Sequence, residues 1–516
     1  MKKIITTTAG VCLTASVLAA CGGGSSGSSG GGTIVDGGTF TMALNADPGT
    51  LDPAMSVSNQ QISISHLVYD PLVNINFKDG SLESGLAKTW KVDGTKVTAT
   101  LQDKITCSDG TELKASDVAA NYDFIADPKN ESPLLGTFLP AGAKTTADDA
   151  TRTVEITLAE PAPFVLQGLA NISIVCSKGL ADRKLLASSA VGTGPYELTK
   201  AASGNQFTYK IRDGYTWGPD GATTATKGMP DNIVVKVIEN ESTAANLLLS
   251  GELNGAVVTG SDRKRLDAAK LSTYDTAVLS GEQFYNQTEG RATADAKVRM
   301  ALTQALDFGE LQKVLTSGSG KAATTFAALD PIACQGDSVS GAMPKRDVAA
   351  AKAVLSAANL PELTFVYSPS AGGGVSAAAE LAVEQWKDAG VKVKAKSQNS
   401  TAIQETVFGT RDWDIAWLPV NVNSPDQLVP FLSGPGAPDG TNFANIKNAT
   451  YEAGVKKAAA MDGQEGCDTW LEAESALVEA ADVIPFANTI GKAYRAKAKF
   501  DYPGQMVPTS IRMLAN

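Results

Sequence analysis

Few residues of this sequence have side chains of the kind that dominate enzyme active sites. The 516 residues include one histidine, His66, so a Ser-His-Asp hydrolase or a histidine-rich metal site would depend on a single imidazole. No Gly-x-Ser-x-Gly nucleophile elbow occurs in the body of the chain. Residues 317–322 (SGSGKA) contain a Gly-Lys pair, but no Ser or Thr follows the lysine as a phosphate-binding loop requires. These patterns disfavour the commonest hydrolases, metalloenzymes and nucleotide-binding proteins.

Carboxylates and cysteines are the remaining candidates for chemistry. The 55 Asp and Glu residues could contain the acid pair of a glycoside hydrolase, which spacing alone does not reveal. Two of the six cysteines, Cys12 and Cys21, lie in the N-terminal segment. The four cysteines of the body are Cys107, Cys176, Cys334 and Cys467. No Cys-x-x-Cys spacing occurs, so neither a redox motif nor a zinc site is indicated. In an oxidising compartment the four body cysteines allow three disulfide pairings.

The charge and length of the chain limit its partners and its architecture. The sequence carries 44 Lys and Arg against 55 Asp and Glu, a net charge of −11, whereas a nucleic-acid partner requires a basic surface. Apolar residues make up 43% and charged residues 19%, which is typical of a folded chain. Because 516 residues exceed one ordinary hydrophobic core, we expect two or three domains.

The N-terminus is typical of an exported protein. Residues 1–3 (MKK) are basic, 4–18 are largely apolar, and 18–21 (LAAC) follow, which predicts a cleavable signal peptide over 1–20. The last four of these residues resemble the lipobox of bacterial lipoproteins, which implies that Cys21 is lipidated and becomes the first residue. The alternative is a plain signal peptide in which Cys21 is incidental. No later run of 18 or more apolar residues occurs, so lipid chains rather than a transmembrane helix would hold the chain at a membrane.

Residues 21–32 comprise the expected lipidated cysteine and a flexible Gly/Ser linker, and the body of the chain follows them. Helix and strand patterns alternate in both halves of this body. The clearest predictions are a hairpin at 90–101, strands at 232–238, 391–396 and 415–420, and helices at 241–253 and 376–389. Gly251 and Gly390 mark the ends of the two helices, and Ser376 is the expected N-cap of the second. This alternation predicts a mixed α/β protein with two lobes.

Several segments, in their order and wording, resemble the family 5 solute-binding proteins of ABC importers, the oligopeptide-, dipeptide- and nickel-binding group. The matching segments are 50–53 (TLDP), 86–90 (LAKTW), 108–111 (SDGT), 115–118 (ASDV), 192–196 (GTGPY), 250–252 (SGE), 298–302 (VRMAL) with Asp307, and 482–485 (DVIP). Each motif is short, but their collinear order over about residues 33–516 is specific. The residues also have structural roles, such as turns at the glycines and one apolar helical face through Val298, Ala301 and Leu302. The motifs therefore identify the fold and leave the ligand open.

The resemblance implies an α/β, bilobal periplasmic-binding-protein fold of type II, similar to cluster C, with an inserted subdomain Ib. Domain Ia would comprise 33–60, 190–278 and 488–516, domain Ib 61–189, and domain II 279–487. The chain would cross between domains I and II near 278 and 488, and these crossings would act as a hinge beside a ligand-binding cleft. The division favours the disulfides Cys107–Cys176 and Cys334–Cys467, since each pair then lies within one domain; buried free thiols are the alternative.

The ligand is less determined than the fold. In peptide-binding relatives, an acidic residue in a loop of the type W..D....P meets the free amino terminus of the peptide. The matching residues 414–426 (DIAWLPVNVNSPD) have no carboxylate between Asp414 and Asp426, and Asn421 stands in place of the acid. Asparagine accepts a hydrogen bond but carries no charge, so a buried ammonium group would lose its charge-assisted partner. The sequence therefore argues against a free amino terminus, unless Asp426 reaches it.

Candidate cleft residues come from three segments. They are Trp417, Asn421, Asn423 and Asp426 of the loop, Tyr285 and Asn286 at the start of domain II, and Asn45 and Asp47 of the N-terminal segment. Trp417 could equally belong to the core of a sheet, and the asparagines could be turn residues. His66 alone would bind a metal weakly, although nickel-binding relatives take metal within a small organic chelate, and no metal site is expected.

The function expected from the sequence is an extracytoplasmic lipoprotein that captures a peptide or peptide-like small solute and delivers it to the permease subunits of an ABC importer. No catalysis, cofactor or nucleic-acid partner is expected, and the chain is expected to be a monomer, lipid-anchored on the periplasmic or extracellular face of the cell membrane. One alternative is a surface-anchored hydrolase, which would turn over a chromogenic glycoside or peptide. Another is an adhesin or scaffold that reuses the binding fold, which would attach to cells without a ligand.

Overall fold

The computed structural model describes residues 32–56, 58–77, 80–260, 262–369, 374–461 and 463–515. The predicted signal peptide, the predicted lipidation site Cys21 and the predicted linker up to residue 31 lie outside the described residues. The body falls within one compact unit, Gly32–Asn516. Within the described ranges, no helix combines the length and the apolar character needed to span a bilayer.

Strands and helices alternate along the described chain. The strands are β1 (Thr39–Leu44), β2 (Val73–Ile75), β3 (Leu82–Ser84), β4 (Ala87–Asp93), β5 (Lys96–Leu101), β6 (Lys144–Asp148), β7 (Thr153–Thr157), β8 (Tyr196–Ala202), β9 (Gln206–Ile211), β10 (Asn232–Val237), β11 (Gly255–Val258), β12 (Ser272–Tyr285), β13 (Gly320–Lys321), β14 (Leu363–Tyr367), β15 (Val393–Ser397), β16 (Ile415–Trp417), β17 (Val483–Arg495), β18 (Ala498–Lys499) and β19 (Arg512–Met513). The α-helices are α1 (Asn59–Val68), α2 (Ala115–Ala126), α3 (Val165–Leu169), α4 (Ser177–Ala181), α5 (Glu241–Ser250), α6 (Arg263–Ala268), α7 (Ala296–Gln304), α8 (Phe308–Leu315), α9 (Val348–Ala357), α10 (Val375–Asp388), α11 (Ser400–Gln404), α12 (Val429–Leu432), α13 (Ala449–Ala459) and α14 (Cys467–Glu479).

One large sheet runs through both lobes. Its strand order is β15-β14-β16-β12-β17-β11-β1-β10-β9-β8, and β13 pairs with β17 off this path. The two long strands β12 and β17 pair in antiparallel fashion along almost their whole length. At one end they adjoin β11, beside the strands of the expected domain I. At the other end they adjoin β16, beside the parallel strands β14 and β15 of the expected domain II. The centre of the sheet therefore joins the two lobes.

A separate four-stranded sheet, in the order β4-β5-β7-β6, lies in the region 61–189. β4 and β5 form the hairpin predicted from the Asp-Gly turn, with Gly94 at a φ of +60°. Helix α2 follows in sequence and buries Val118, Tyr122 and Ile125 in the core of this region. Their spacing of four and three residues places the three side chains on one face of the helix.

The structure contains both disulfides of the favoured pairing. Cys107 is bonded to Cys176 inside the core of the region 61–189, and Cys334 is bonded to Cys467 in domain II. The second bond joins a long loop after β13 to the first residue of α14. Each bond therefore fixes a segment that has little regular secondary structure of its own.

The local predictions hold with two corrections. The helix predicted over 241–253 is α5, and it ends where Gly251 adopts a φ of +78°. The predicted N-cap Ser376 is wrong, because α10 begins at Val375 and is capped by Gly374 without a side-chain hydrogen bond. The strand predicted over 415–420 ends at Trp417. Pro419 has no N–H, and the Val420 N–H donates to the Glu282 side chain instead of a main-chain carbonyl of β12.

Two of the sequence motifs fasten the region 61–189 to the rest of domain I. Asp52 of the TLDP segment forms a partly buried ion pair with Arg183. The carboxylate of Asp70 accepts hydrogen bonds from the Thr193 hydroxyl of the GTGPY segment (2.8 Å), the Tyr215 hydroxyl (2.9 Å) and the Trp217 indole N–H (3.1 Å). Burial nevertheless raises the pKa of Asp70 above its ordinary value. Both motifs therefore have a structural role, because each connects the region 61–189 to a neighbouring part of the chain.

Candidate functional site

The two lobes meet at the middle of β12 and β17, where the paired strands have an irregular register. The pairing shifts between Leu279 and Glu282, as at a β-bulge, which bends a strand pair. Gly281 lies at this point, and a Cβ atom there would come within 2.6 Å of the Phe486 ring, so a larger residue does not fit. The hydroxyl groups of Ser280 and Thr489 lie 2.7 Å apart and link the two strands at the same level. These positions lie close to the crossings expected near 278 and 488.

A cavity of about 380 Å³ lies between segments that belong to different lobes. Its described lining residues are Phe77 and Gly80 from the turn between β2 and β3, Thr273, Tyr274 and Asp275 from the domain I half of β12, and Asp330, Pro331 and Gln335 from the loop after β13. Pockets that bind small molecules have volumes of about 300–1,000 Å³. The cavity is therefore large enough for a small solute, such as a di- or tripeptide.

The lining of the cavity combines acidic and aromatic side chains. Asp275 and Asp330 supply two carboxylates, Phe77 and Tyr274 supply two rings, and none of the lining residues that the structure describes is basic. Carboxylates form charge-assisted hydrogen bonds with an ammonium group, and aromatic faces attract cations. The nearby guanidinium of Arg495 donates to the carbonyls of Thr273 at 2.7 Å and Phe500 at 2.8 Å, which hold it in place but do not neutralise its charge. The cavity therefore suits a ligand with a cationic group.

The predicted binding loop packs on domain II and supplies none of the cavity's described lining residues. Trp417 is 2% exposed, and its ring lies 5.0 Å from that of Phe365 and 5.1 Å from that of Phe486, between centroids. Of its two alternative roles, Trp417 therefore has the sheet-core role. Asn421 bonds to the main chain of Leu279, accepting from its N–H at 2.9 Å and donating to its carbonyl at 3.0 Å. The Asn421 amide thus ties the loop to β12 at the hinge.

Asn423 bonds to a residue near the end of its own loop and to the loop after β13, and Asp426 bonds within its own loop. The Asn423 N–H donates to the Gln427 side chain at 3.3 Å, and its carbonyl accepts from the Ala333 N–H at 2.8 Å. The Asp426 carboxylate accepts a hydrogen bond from the Ser424 hydroxyl at 2.5 Å. Burial raises the pKa of Asp426 to about 6. The structure therefore turns Asp426 toward its own loop rather than toward the cavity, where a ligand's amine would lie.

The remaining predicted residues also have partners within the protein. Tyr285 and Asn286 are fully buried: the Tyr285 hydroxyl contacts Gln283 and Thr303, and the Asn286 amide donates to the Trp413 carbonyl. In this conformation they are core residues, not cleft residues. Asn45 accepts from Gln60, and Asp47 accepts from the turn between β8 and β9 at Ser203 and Gly204.

No local pattern in the sequence distinguishes the four acidic and aromatic residues of the cavity lining, so the sequence did not predict them. They are Phe77, Tyr274, Asp275 and Asp330. Asp275 appears as one exposed position in a strand, and Asp330 precedes a proline, as many turn residues do. Only the pairing of distant segments brings the four together.

Three carboxyl groups at or near the loop 414–426 are buried, those of Glu282, Asp426 and Glu474. Burial raises the pKa of Glu282 to about 8, that of Glu474 to about 7 and that of Asp426 to about 6, and the charge of Glu474 also raises the pKa of Glu282. One Glu282 oxygen accepts the Val420 N–H at 2.8 Å, whereas the other is buried without a partner in the described part of the chain. Glu282 therefore favours the protonated form in the folded state.

Replacing this group by its neutral analogue, Glu282→Gln, is expected to stabilise the protein at pH 8 and to have little effect at pH 5. The folded-state pKa of Glu282 lies above the unfolded value, so the wild type loses stability as pH rises between the two. The gain from Glu282→Gln at pH 8 is about 2–4 kcal/mol. Urea unfolding at both pH values measures it, with the exposed Glu472→Gln on α14 as the control. A difference between variant and wild type that does not change with pH would refute this account of Glu282.

Comparisons with known proteins give one consistent result. The model of the family "Bacterial extracellular solute-binding proteins, family 5 Middle" matches residues 81–439. The periplasmic murein peptide-binding protein MppA of Escherichia coli K12 is 26% identical over 484 residues, which cover 85% of each chain. The glutathione-binding protein GsiB of the same strain is 29% identical over 293 residues, 55% of each chain. A solved substrate-binding protein of Microbacterium hydrocarbonoxydans, complexed with 4-hydroxybenzoate hydrazide, is 26% identical with a TM-score of 0.75, covering 92% of this chain and 99% of its own.

Proposed function

This chain belongs to the bacterial extracellular solute-binding proteins of family 5, and we propose that it captures a di- or tripeptide, or a similar small solute with a free amino group, in the cavity between its lobes. Membership of the family makes it the substrate-binding component of an ABC transporter, with the bilobal fold of that family. Such a component binds its substrate and does not convert it. The identity of the solute is the part that is proposed.

The observation that carries the proposal is the position of the cavity. Its described walls come from the turn after β2, from β12 and from the loop after β13, so a solute within it contacts residues of both lobes. A solute that contacts both lobes favours the closed arrangement over the open one, and opening then releases it. Capture followed by release is what delivery to permease subunits requires.

The chemistry of the walls supports an amino group on the solute. Asp275 and Asp330 can take the place of the acid that the loop at Asn421 lacks, so a free amino terminus on the solute would still meet a charged partner. The relatives agree in part, since MppA is named for murein peptides and GsiB for glutathione, both of which are peptides. The volume of about 380 Å³ favours a short peptide over a long one.

The mode of attachment is part of the same proposal. We propose that Cys21 carries the lipid anchor and that residues 22–32 connect it to the folded body, on the outer side of the cell membrane. The support is the sequence at 18–21 and the extracytoplasmic location of the relatives. A monomer beside its permease subunits is the expected working form.

Thermal unfolding of the chain from Thr33 to Asn516 tests the solute class. Pooled di- and tripeptides with free amino termini, at about 100 times their dissociation constant, are expected to add about 2.7 kcal/mol to the unfolding free energy, a shift of a few degrees. The same peptides with acetylated amino termini are the matched control and should give a much smaller shift. A shift with the acetylated set alone, or with neither set, would contradict the proposal. Mass spectrometry of the mixture should find the peptides intact, which separates binding from hydrolysis.

A further inference from the structure

The side chain of Phe164 lies in a contact between the region 61–189 and domain II. It is 1% exposed, and its buried apolar neighbours are Ala333, Cys334, Ala458, Cys467 and Trp470, all of which belong to the range 279–487. The ring centroids of Phe164 and Trp470 lie 6.4 Å apart. Phe164 thus packs with residues of the opposite lobe, far in sequence from both hinge crossings.

The position of Phe164 in its own region explains this packing. It immediately precedes α3, and the Gly168 N–H donates to its carbonyl at 3.1 Å, so its main chain is fixed by the helix. The two residues of α3 that follow it, Val165 and Leu166, point into the core of the region 61–189, whereas the Phe164 ring belongs to the separate cluster. Separation of the lobes would therefore expose the phenyl ring and the face of Trp470 to water.

The receiving surface in domain II is held together by the second disulfide. The bond between Cys334 and Cys467 joins the loop after β13 to the start of α14, and Trp470 lies one turn further along that helix. The Ala333 carbonyl accepts a hydrogen bond from the Gln464 side chain at 2.6 Å. The same loop lines the cavity with Asp330, so the contact and the cavity share one segment.

We propose that the arrangement of the lobes in this structure is the closed one and that Phe164 is a latch, a contact that stabilises this arrangement whatever solute is bound. Burial of an aromatic side chain in one of two arrangements shifts the equilibrium between them toward that arrangement. The ligand affinity of such a protein scales with the population of the competent, closed state. The latch therefore raises affinity without touching the ligand. This inference goes beyond the proposed function and does not depend on the solute class.

Small-angle X-ray scattering of the unliganded protein tests the latch without any solute. Phe164→Ala is expected to lower the ratio of closed to open molecules about 10-fold or more, seen as a larger radius of gyration than that of the wild type. Val92→Ala is the matched control, because it removes an exposed apolar side chain from the same region, and it should leave the radius unchanged. An equal radius for Phe164→Ala and the wild type would overturn the proposal.

A pair of disulfide variants provides a second test that does not alter Phe164. Cys334→Ser with Cys467→Ser loosens the surface that receives the ring, and it is expected to increase the radius of gyration in the same direction as Phe164→Ala. Cys107→Ser with Cys176→Ser removes the other disulfide, inside the region 61–189, and is expected to lower thermal stability without opening the lobes. Equal opening by the two pairs, or opening by the second alone, would overturn the latch.

Discussion

Asp275→Asn combined with Asp330→Asn is expected to weaken the binding of a free dipeptide about 100-fold. Each carboxylate offers the ammonium group a charge-assisted hydrogen bond, worth about 1.5–3 kcal/mol once water is excluded, and every 1.4 kcal/mol is about tenfold in affinity. The amide side chains keep the shape of the cavity and remove its charge. Binding of the N-acetylated dipeptide, which carries no ammonium group, should change far less. Isothermal titration calorimetry with the two dipeptides measures both effects.

A matched variant separates the local effect of these carboxylates from the change in net charge. Asp213→Asn with Asp439→Asn removes the same two charges from exposed positions outside the cavity lining. This control should bind the free dipeptide as the wild type does. If the cavity variant keeps wild-type affinity for the free dipeptide, Asp275 and Asp330 do not hold its amine.

Arg299→Ala is expected to lower the free energy of unfolding by about 3–5 kcal/mol. The Arg299 guanidinium pairs with Asp482 at 2.7 Å, and both side chains are less than one-tenth exposed. Its other amino group donates to the carbonyls of Thr293 and Ala294. Removal leaves Asp482 buried, with the neutral side-chain amides of Gln287 and Asn448 as its partners among the described side chains. An uncompensated buried charge is costly.

Urea unfolding followed by tryptophan fluorescence measures the effect of Arg299→Ala. Lys91→Ala is the control, because the ion pair of Lys91 with Asp93 leaves both side chains 74% exposed and such pairs contribute about 0–1 kcal/mol. A loss below about 1 kcal/mol for Arg299→Ala would show that the buried pair does not hold domain II together.

Local structure was predictable because neighbouring residues decide it. The Asp93-Gly94 turn predicted the hairpin, and Gly251 predicted the end of α5. Both glycines adopt positive φ angles, which other residues rarely adopt. The fold was predictable from motifs whose order is shared with a known family. Arg299 and Asp482, however, belong to two of these motifs and form an ion pair although they lie 183 residues apart in sequence. No local pattern predicts such a pair.

The candidate site was less predictable because distant segments build it. Trp417 and Asn421 lie in the loop that the resemblance indicated, yet tertiary packing turns the first into the core and ties the second to Leu279. Asp275 and Asp330 carry no local mark of a site and meet only through the arrangement of the two lobes. The residue types were therefore readable from the sequence, whereas their surroundings were not.

A crystal structure of the chain with the dipeptide that gives the largest thermal shift tests the central claim most directly. The account predicts electron density for the dipeptide between Tyr274 and Phe77, with its amino group within hydrogen-bond distance of Asp275 or Asp330. Density for the dipeptide at any other place, or an amino group that faces neither carboxylate, would contradict it.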